Sequence, residues 1–277
     1  MFKVNKSAFL YFFIAFAFIF TVGEKFYEKN NSPSFQKASE KLEYQLGYQN
    51  VYAVGQDMEK PTQTTDENEK SDKKIVYLTF DDGPSPRTLE ILDILKEYDI
   101  KATFFVLSDD KELNREILKR IYDEGHSIGV HSNSHSYEKI YKSVDNFLED
   151  FNICLDFIND VTGEKPNIFR FPGGSVNSYN KKIRKDLAEE MTRRGFTYFD
   201  WNVCSDDAVK GYTEDSIYNK VISGCKDRSN SVVLMHDSAP KKATVSALKR
   251  IIPDLIAQGF TFEKINSTTP PVQFKIQ

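Results

Sequence analysis

The chain has 277 residues, 40% apolar and 28% charged, with 37 basic and 41 acidic side chains and a net charge of −4. That balance excludes a collagen-like, wholly disordered or polytopic membrane protein, and an acidic chain of pI ≈ 5.7 lacks the basic surface that nucleic acid demands. Three cysteines make neither a disulfide scaffold nor a zinc ribbon, and a chain with only four histidines makes any cluster of them informative.

Lys3 and Lys6 precede an uncharged, Phe-rich run at 7–23. As a helix the run spans about 25 Å, close to the ~30 Å of a hydrocarbon core. It reads as a signal anchor in preference to a cleaved signal peptide, because no small-x-small cleavage site follows the run and Ala15-Phe-Ala17 lies inside it. The basic flank places everything after it outside the membrane. Residues 24–73 read as an extracytoplasmic tether: from Gln56 to Lys74 only Met58 is large and apolar, too little to bury and order the segment. About 50 such residues reach roughly 40 Å.

From 75 onward the pattern alternates. Short β-rich runs fall at 75–80, 102–107, 127–130, 167–171, 196–203, 231–235 and 260–264. Helical spacing falls between them, at 89–98, 111–124, 143–161, 180–194, 215–224 and 242–257, with Pro253 as a candidate kink. Seven strands with intervening helices predict right-handed βαβ units and a parallel sheet. A closed or nearly closed (β/α) barrel and an open doubly wound sheet both satisfy this. The absence of a Gly-rich phosphate loop after the first strand counts against nucleotide binding.

In such barrels chemistry gathers at the C-terminal ends of the strands. There the sequence places Asp81 and Asp82, His131 and His135, Arg170, Asp206 and Asp207, and His236 and Asp237. Adjacent carboxylates at a strand end point different ways, so one of Asp81 and Asp82 is free to ligate a metal while the other acts on water; alone, Asp-Gly-Pro is also an ordinary turn. His131 and His135, at i, i+4, add two imidazoles to one side of a helical turn. With a carboxylate they form the donor set of a catalytic zinc site. Arg170 is either a structural ion pair or the cation that keeps a carboxylate ionised. The glycines of Phe171-Pro-Gly-Gly permit close backbone approach to a ligand. His236 reads as a general acid and His126 as structural.

The residues in order resemble a known family. Thr79-Phe80-Asp81-Asp82-Gly83-Pro84, His131-Ser-Asn-Ser-His135, Arg170-Phe-Pro-Gly-Gly, Trp201-Asn-Val-Cys-Ser-Asp-Asp207 and Leu234-Met-His236-Asp are similar to the five motifs of the polysaccharide deacetylases, the NodB-homology carbohydrate esterases of family 4. The resemblance covers about 74–265 and implies a distorted (β/α) barrel of about seven parallel strands within a 74–277 domain. It implies a divalent metal, zinc first and cobalt or another ion as alternatives, held by Asp82, His131 and His135. It implies Asp81 as base, Arg170 as its partner, the Gly173 N–H in the oxyanion hole, Leu234 beside the acetyl methyl, and Trp201 among the substrate residues. His236 is then the acid toward the leaving amine, oriented by Asp207. Cys204 and Ala208 depart from the Asp and Trp common in the family, so one groove wall is expected to be more open, and a Cys204–Cys225 bridge is not expected.

Amide hydrolysis needs an activated nucleophile, a charge sink and an acid for a poor leaving group, and this set supplies all three. The expected protein is therefore a monomeric, membrane-tethered N-deacetylase of a polysaccharide, with peptidoglycan N-acetylglucosamine as first substrate. Chitooligosaccharide, exopolysaccharide and acetylxylan are the alternatives within the family. A glycoside hydrolase using Asp81 and Asp207 leaves the three histidines without a role, and an inactive sugar-binding relative leaves all five motifs without one.

Overall fold

The computed structural model describes residues 73–276. The apolar run at 7–23 and the tether up to residue 72 lie outside the described residues. Among the described residues no helix is long and apolar enough to cross a membrane.

The sheet is organised around β1 (Lys74–Asp81), buried without interruption from Val76 to Asp81. Burial on both faces explains its nearly continuous apolar sequence. β1 pairs with β7 (Asn230–His236) along its length, from Ile75 opposite Asn230 to Asp81 opposite His236. On its other side it meets β2 (Thr103–Leu107) at the C-terminal end and β8 (Phe260–Phe262) at the N-terminal end. β3 (Ser127–Ser132), β4 (Ile168–Phe169), β5 (Thr197–Tyr198) and β6 (Val203–Cys204) complete the order β5-β4-β3-β2-β1-β7-β6, all pairs parallel. The helices are α1 (Pro86–Glu97), α2 (Glu112–Asp123), α3 (Tyr137–Ile140), α4 (Val144–Thr162), α5 (Arg184–Arg193), α6 (Glu214–Cys225) and α7 (Lys242–Ala257). Pro253 is accommodated within α7.

The expected single strand at 196–203 is two strands on opposite edges of the sheet. β5 extends β4, and Phe199 N–H still donates to Phe169 O (3.0 Å). From Asn202, whose N–H donates to Val232 O (3.1 Å), the chain runs along β7 instead. One segment thus satisfies both sheet edges and curls the sheet into a half-barrel, which removes the open doubly wound alternative. At the crossing, Asp200 N–H donates to Val272 O (2.7 Å) of the C-terminal segment. The helix expected from 180 starts at Arg184, because Asn177 and Asn180 hold the preceding residues in a turn: Asn177 Oδ1 accepts from the N–H groups of Tyr179 and Asn180, both at 2.9 Å. The short α3 has too few residues to leave a periodic signal.

Alternation along the strands separates two cores. Tyr77, Phe105, Ile168, Phe199, Val232 and Ile265 pack together as one cluster. The same alternation carries Thr79 and Asp81 on β1, and Leu234 and His236 on β7, onto the interior side above that cluster. The opposite face of β4 meets α4 through aromatic contacts, with Phe169 at 5.5 Å from Phe151 and 4.8 Å from Phe171 between ring centroids. Each such fully buried Phe contributes about 1.5–3 kcal/mol. α1 is fixed at its start by a capping box, with Ser85 Oγ accepting from the backbone and the Thr88 hydroxyl accepting from Ser85 N–H, and with Pro86 in the first turn.

Candidate active site

The register of β1 on β7 puts Asp81 beside His236, and both lie at the C-terminal mouth of the half-barrel. Asp81 is held by Arg170, which follows β4 and is fully buried. The guanidinium donates to Asp81 Oδ1 (2.9 Å), Thr79 Oγ1 (2.7 Å), Phe199 O (2.8 Å) and Asp200 O (3.0 Å), and lies 4.3 Å from the centroid of the Phe105 ring. Burial pushes the Asp81 carboxyl above the usual range, against the opposing pull of Arg170 and His236.

Asp82 points away from Arg170 and toward the imidazoles. Its Oδ1 lies 3.3 Å from His135 Nε2 and 3.6 Å from His131 Nε2, and the three donor atoms all fall within 4.8 Å of one another. His131 Nδ1–H donates to Arg170 O (2.8 Å), which turns Nε2 toward Asp82. Burial lowers the His131 pKa to about 3, so the ring is neutral and its lone pair is available. Asp82 Oδ1 is buried without a hydrogen-bond partner. An orphaned carboxylate oxygen facing two imidazole nitrogens fits a divalent cation, and the donor types suit zinc. Asp82 (φ 74°) and His135 (φ 49°) both sit in the left-handed region, a cost that the surrounding contacts must offset.

Those contacts come from residues that the sequence did not single out. Asp150 of α4 accepts from Ser132 Oγ, from Asn133 N–H (2.8 Å) and from Ser134 N–H (2.8 Å), and Ser132 Oγ accepts in turn from His135 N–H (2.9 Å). One carboxylate therefore shapes the whole His131–His135 loop. Asp237 takes no place beside His236. It lies under the Asp81–Gly83 turn, where its N–H donates to Asp81 O (3.0 Å) and its Oδ2 accepts from Thr88 Oγ1 (2.5 Å). Burial pushes its carboxyl up to about 7. A Cβ on Gly83 would fall 2.2 Å from Asp237 Oδ2, which accounts for glycine there. Asp200, also buried, accepts from Ser175 N–H (2.8 Å) and Ser175 Oγ (2.5 Å) and ties the 172–175 turn to the barrel seam. No periodicity marks Asp150 or Asp200. Asp200 has the one signal, a charged residue between Phe199 and Trp201, whereas Asp150 stands beside Glu149 and has none.

His236 and Asp207 form the second ionic pair, Nδ1 to Oδ1 at 2.7 Å. Asp207 Oδ2 also accepts from His236 N–H (2.8 Å) and Thr244 Oγ1 (2.8 Å). Burial alone would lower the His236 pKa, but the hydrogen bond and charge of Asp207 outweigh it and the net shift is upward. Burial works the other way on Asp207, and its bonds to His236 and Thr244 hold it below the usual carboxylate range. Asp206 is turned outward to Lys220 (2.8 Å), so Asp207 is the acid that meets His236. Gly173 lies exposed with φ 74° on the rim, and Leu234 is buried on the β7 face that carries His236. Trp201 is half-buried against the barrel core, with its ring 5.0 Å from that of Phe274. Cys154, Cys204 and Cys225 are free thiols. His126 is buried at the far end of the barrel, where its Nδ1 accepts from Ala102 N–H (3.1 Å), a structural bond.

Known proteins share this architecture. A family model described as polysaccharide deacetylase matches residues 68–192. A peptidoglycan-N-acetylglucosamine deacetylase of Bacillus cereus is 32% identical over 210 residues, covering 73% of this chain and 74% of that protein. The catalytic domain of a peptidoglycan N-acetylglucosamine deacetylase from Eubacterium rectale superposes with a TM-score of 0.71 at 36% identity, covering 79% of this chain and 100% of that one. The Xyl-CE4 domain of a multidomain xylanase from the hindgut metagenome of Trinervitermes trinervoides superposes at 0.61 with 27% identity, covering 74% and 97%.

If Asp150 shapes the ligand loop, Asp150→Ala is expected to weaken zinc binding about 10- to 100-fold while the protein remains folded. Competition against a chromophoric chelator measures it; unchanged affinity would remove Asp150 from the site's support.

Proposed function

The chain belongs to the polysaccharide deacetylase family, hydrolases of C–N bonds, and from that premise we propose that it removes N-acetyl groups from peptidoglycan N-acetylglucosamine and releases acetate. The observation that carries this reading is the placement of Asp81 and His236 on adjacent strands beside the Asp82/His131/His135 donor set. Hydrolysis adds hydroxyl to the acetyl carbon and a proton to the departing amine, so it calls for a base and an acid on one mouth.

Asp82, His131 and His135 would hold the ion, zinc in the first instance. When bound, such an ion would supply Lewis acidity toward water and the acetyl carbonyl. Asp81 accepts a proton from the attacking water, and Arg170 fixes the orientation of its carboxylate. The Gly173 N–H, on an exposed turn, donates to the developing oxyanion. His236 gives its proton to the amine, and Asp207 sets both the ring's orientation and its affinity for that proton. Leu234 lines the space for the acetyl methyl, and Trp201 lies with the substrate residues at the seam. The basic-flanked apolar run at 7–23 supports anchorage to the cell membrane with the domain outside, within reach of the wall; cleavage of that run would instead release it.

The test is acetate release from purified peptidoglycan by the full-length chain in detergent. The expected result is loss on chelation, recovery with zinc, and a fall of about 10²- to 10⁴-fold in Asp81→Asn. Reducing sugar released without sensitivity to chelator would overturn the reading, and acetyl loss from xylan but not peptidoglycan would replace the substrate.

His236 acts protonated, so its raised pKa extends activity upward in pH, and activity is lost as pH climbs through that value. Asp207→Asn removes the largest opposition to burial and leaves only the weaker pull of Asp81 and Asp82, so the alkaline limb of kcat/KM is expected to move to lower pH. A limb that stays in place would mean that another group is the acid.

A further inference from the structure

The geometry points to a glycan subsite on the rim, in which Tyr179, backed by Tyr137, stacks on a pyranose ring adjoining the one being deacetylated. This rests on the deacetylase reading and adds to it where the polymer lies.

Gly173 has no side chain, and its place is taken by another residue. A Cβ at Gly173 would meet Tyr137 Cε1 at 3.0 Å and the Tyr137 hydroxyl at 3.2 Å, so the phenol of α3 fills the room that the glycine leaves. On one side Tyr137 stands edge-on to His135, with centroids 5.2 Å apart. On the other it is stacked with Tyr179 at 5.1 Å and 17°. The rings therefore lead from a predicted ion ligand outward along the rim in two steps.

The platform is braced from below. Tyr141, stacked under Tyr137 at 6.2 Å, donates its hydroxyl to Pro172 O (2.7 Å). Asn177 fixes the turn that carries Tyr179 through two backbone bonds of 2.9 Å. Tyr179 nevertheless leaves 52% of its surface exposed. A large ring held rigid at low entropic cost, with a bare face beside a reaction centre, is built to receive a ligand with a flat apolar face. The axial C–H face of a pyranose is that shape. The ligand class is a β-linked glycan of N-acetylated glucosamine, and the contact is to a neighbour of the reacting sugar, because Tyr137 stands between Tyr179 and the ion ligands.

The test uses the full-length chain with N-acetylated chitotetraose and N-acetylglucosamine, measuring both binding by calorimetry and acetate release. In Tyr179→Ala, chitotetraose affinity is expected to fall about three- to tenfold, with KM raised to match, kcat unchanged, and 4-nitrophenyl acetate hydrolysis and zinc content as in the parent. Tyr179→Phe should keep parental affinity. Chitotetraose binding that depends on Tyr179, with no acetate released from either chitotetraose or purified peptidoglycan, would support the subsite and refute the deacetylase reading. Equal chitotetraose affinity and KM in Tyr179→Ala and the parent would overturn the subsite and leave the activity standing, and absence of any chitotetraose binding by the parent would overturn the subsite as proposed.

Discussion

A single buried guanidinium joins the fold to the site. Arg170 has no exposed surface and spends its donors on two carbonyls at the barrel seam, one hydroxyl of β1 and the carboxylate of Asp81. The seam is where the chain leaves β4's edge for β7's, so Phe199 O and Asp200 O would face the interior without a ladder partner. Buried carbonyls left unpaired cost about 1–3 kcal/mol each. A planar fork satisfies them and reaches Asp81 at the same time, which an ammonium's point charge would not do. Arg170 thus answers the question that sequence reasoning left open: it is a structural ion pair and the partner of the candidate base together. Its own carbonyl oxygen orients His131, so the same residue aligns a candidate ion ligand.

Around that centre the chain arranges three more acids, Asp200 and Asp237 buried and Asp150 half-buried. Asp150 gathers the N–H groups of Asn133 and Ser134 in the His131–His135 loop, Asp200 takes the N–H and hydroxyl of Ser175, and Asp237 supports the turn after β1. Each comes from a different element and fixes one of the segments that carry Asp82, Gly173 and the histidines. These segments use left-handed backbone at Asp82, His135 and Gly173, which regular secondary structure would not tolerate. The strain is concentrated on the mouth, and the bracing is supplied from the helices and the seam.

Much of this was legible beforehand, for definable reasons. β1, β7 and α4 announce themselves because long buried elements leave unbroken apolar runs or helical spacing. Asp81, Asp82, His131, His135, Arg170 and His236 follow from standing at strand ends. The split at 196–203 was not legible: a run such as Phe196-Thr-Tyr-Phe has the same composition whether it pairs on one edge or two, and only the far partners Phe169 and Val232 decide. The role of Asp207 over Asp206 depends on a left-handed φ at Asp206 that sends its side chain outward. Asp150 and Asp200 act on backbone N–H groups, which carry no residue-type signature. Tyr137 and Tyr179 are far apart in sequence and meet only because Gly173 makes room.

The most direct test of this account is the unfolding free energy of Arg170→Met, taken from urea denaturation. Methionine keeps much of the volume and none of the donors. If one guanidinium closes the seam and neutralises a buried carboxylate, the loss should be about 3–5 kcal/mol, the range for stranding one partner of a buried pair. A loss below about 1 kcal/mol would contradict it, and would mean that the half-barrel closes without Arg170.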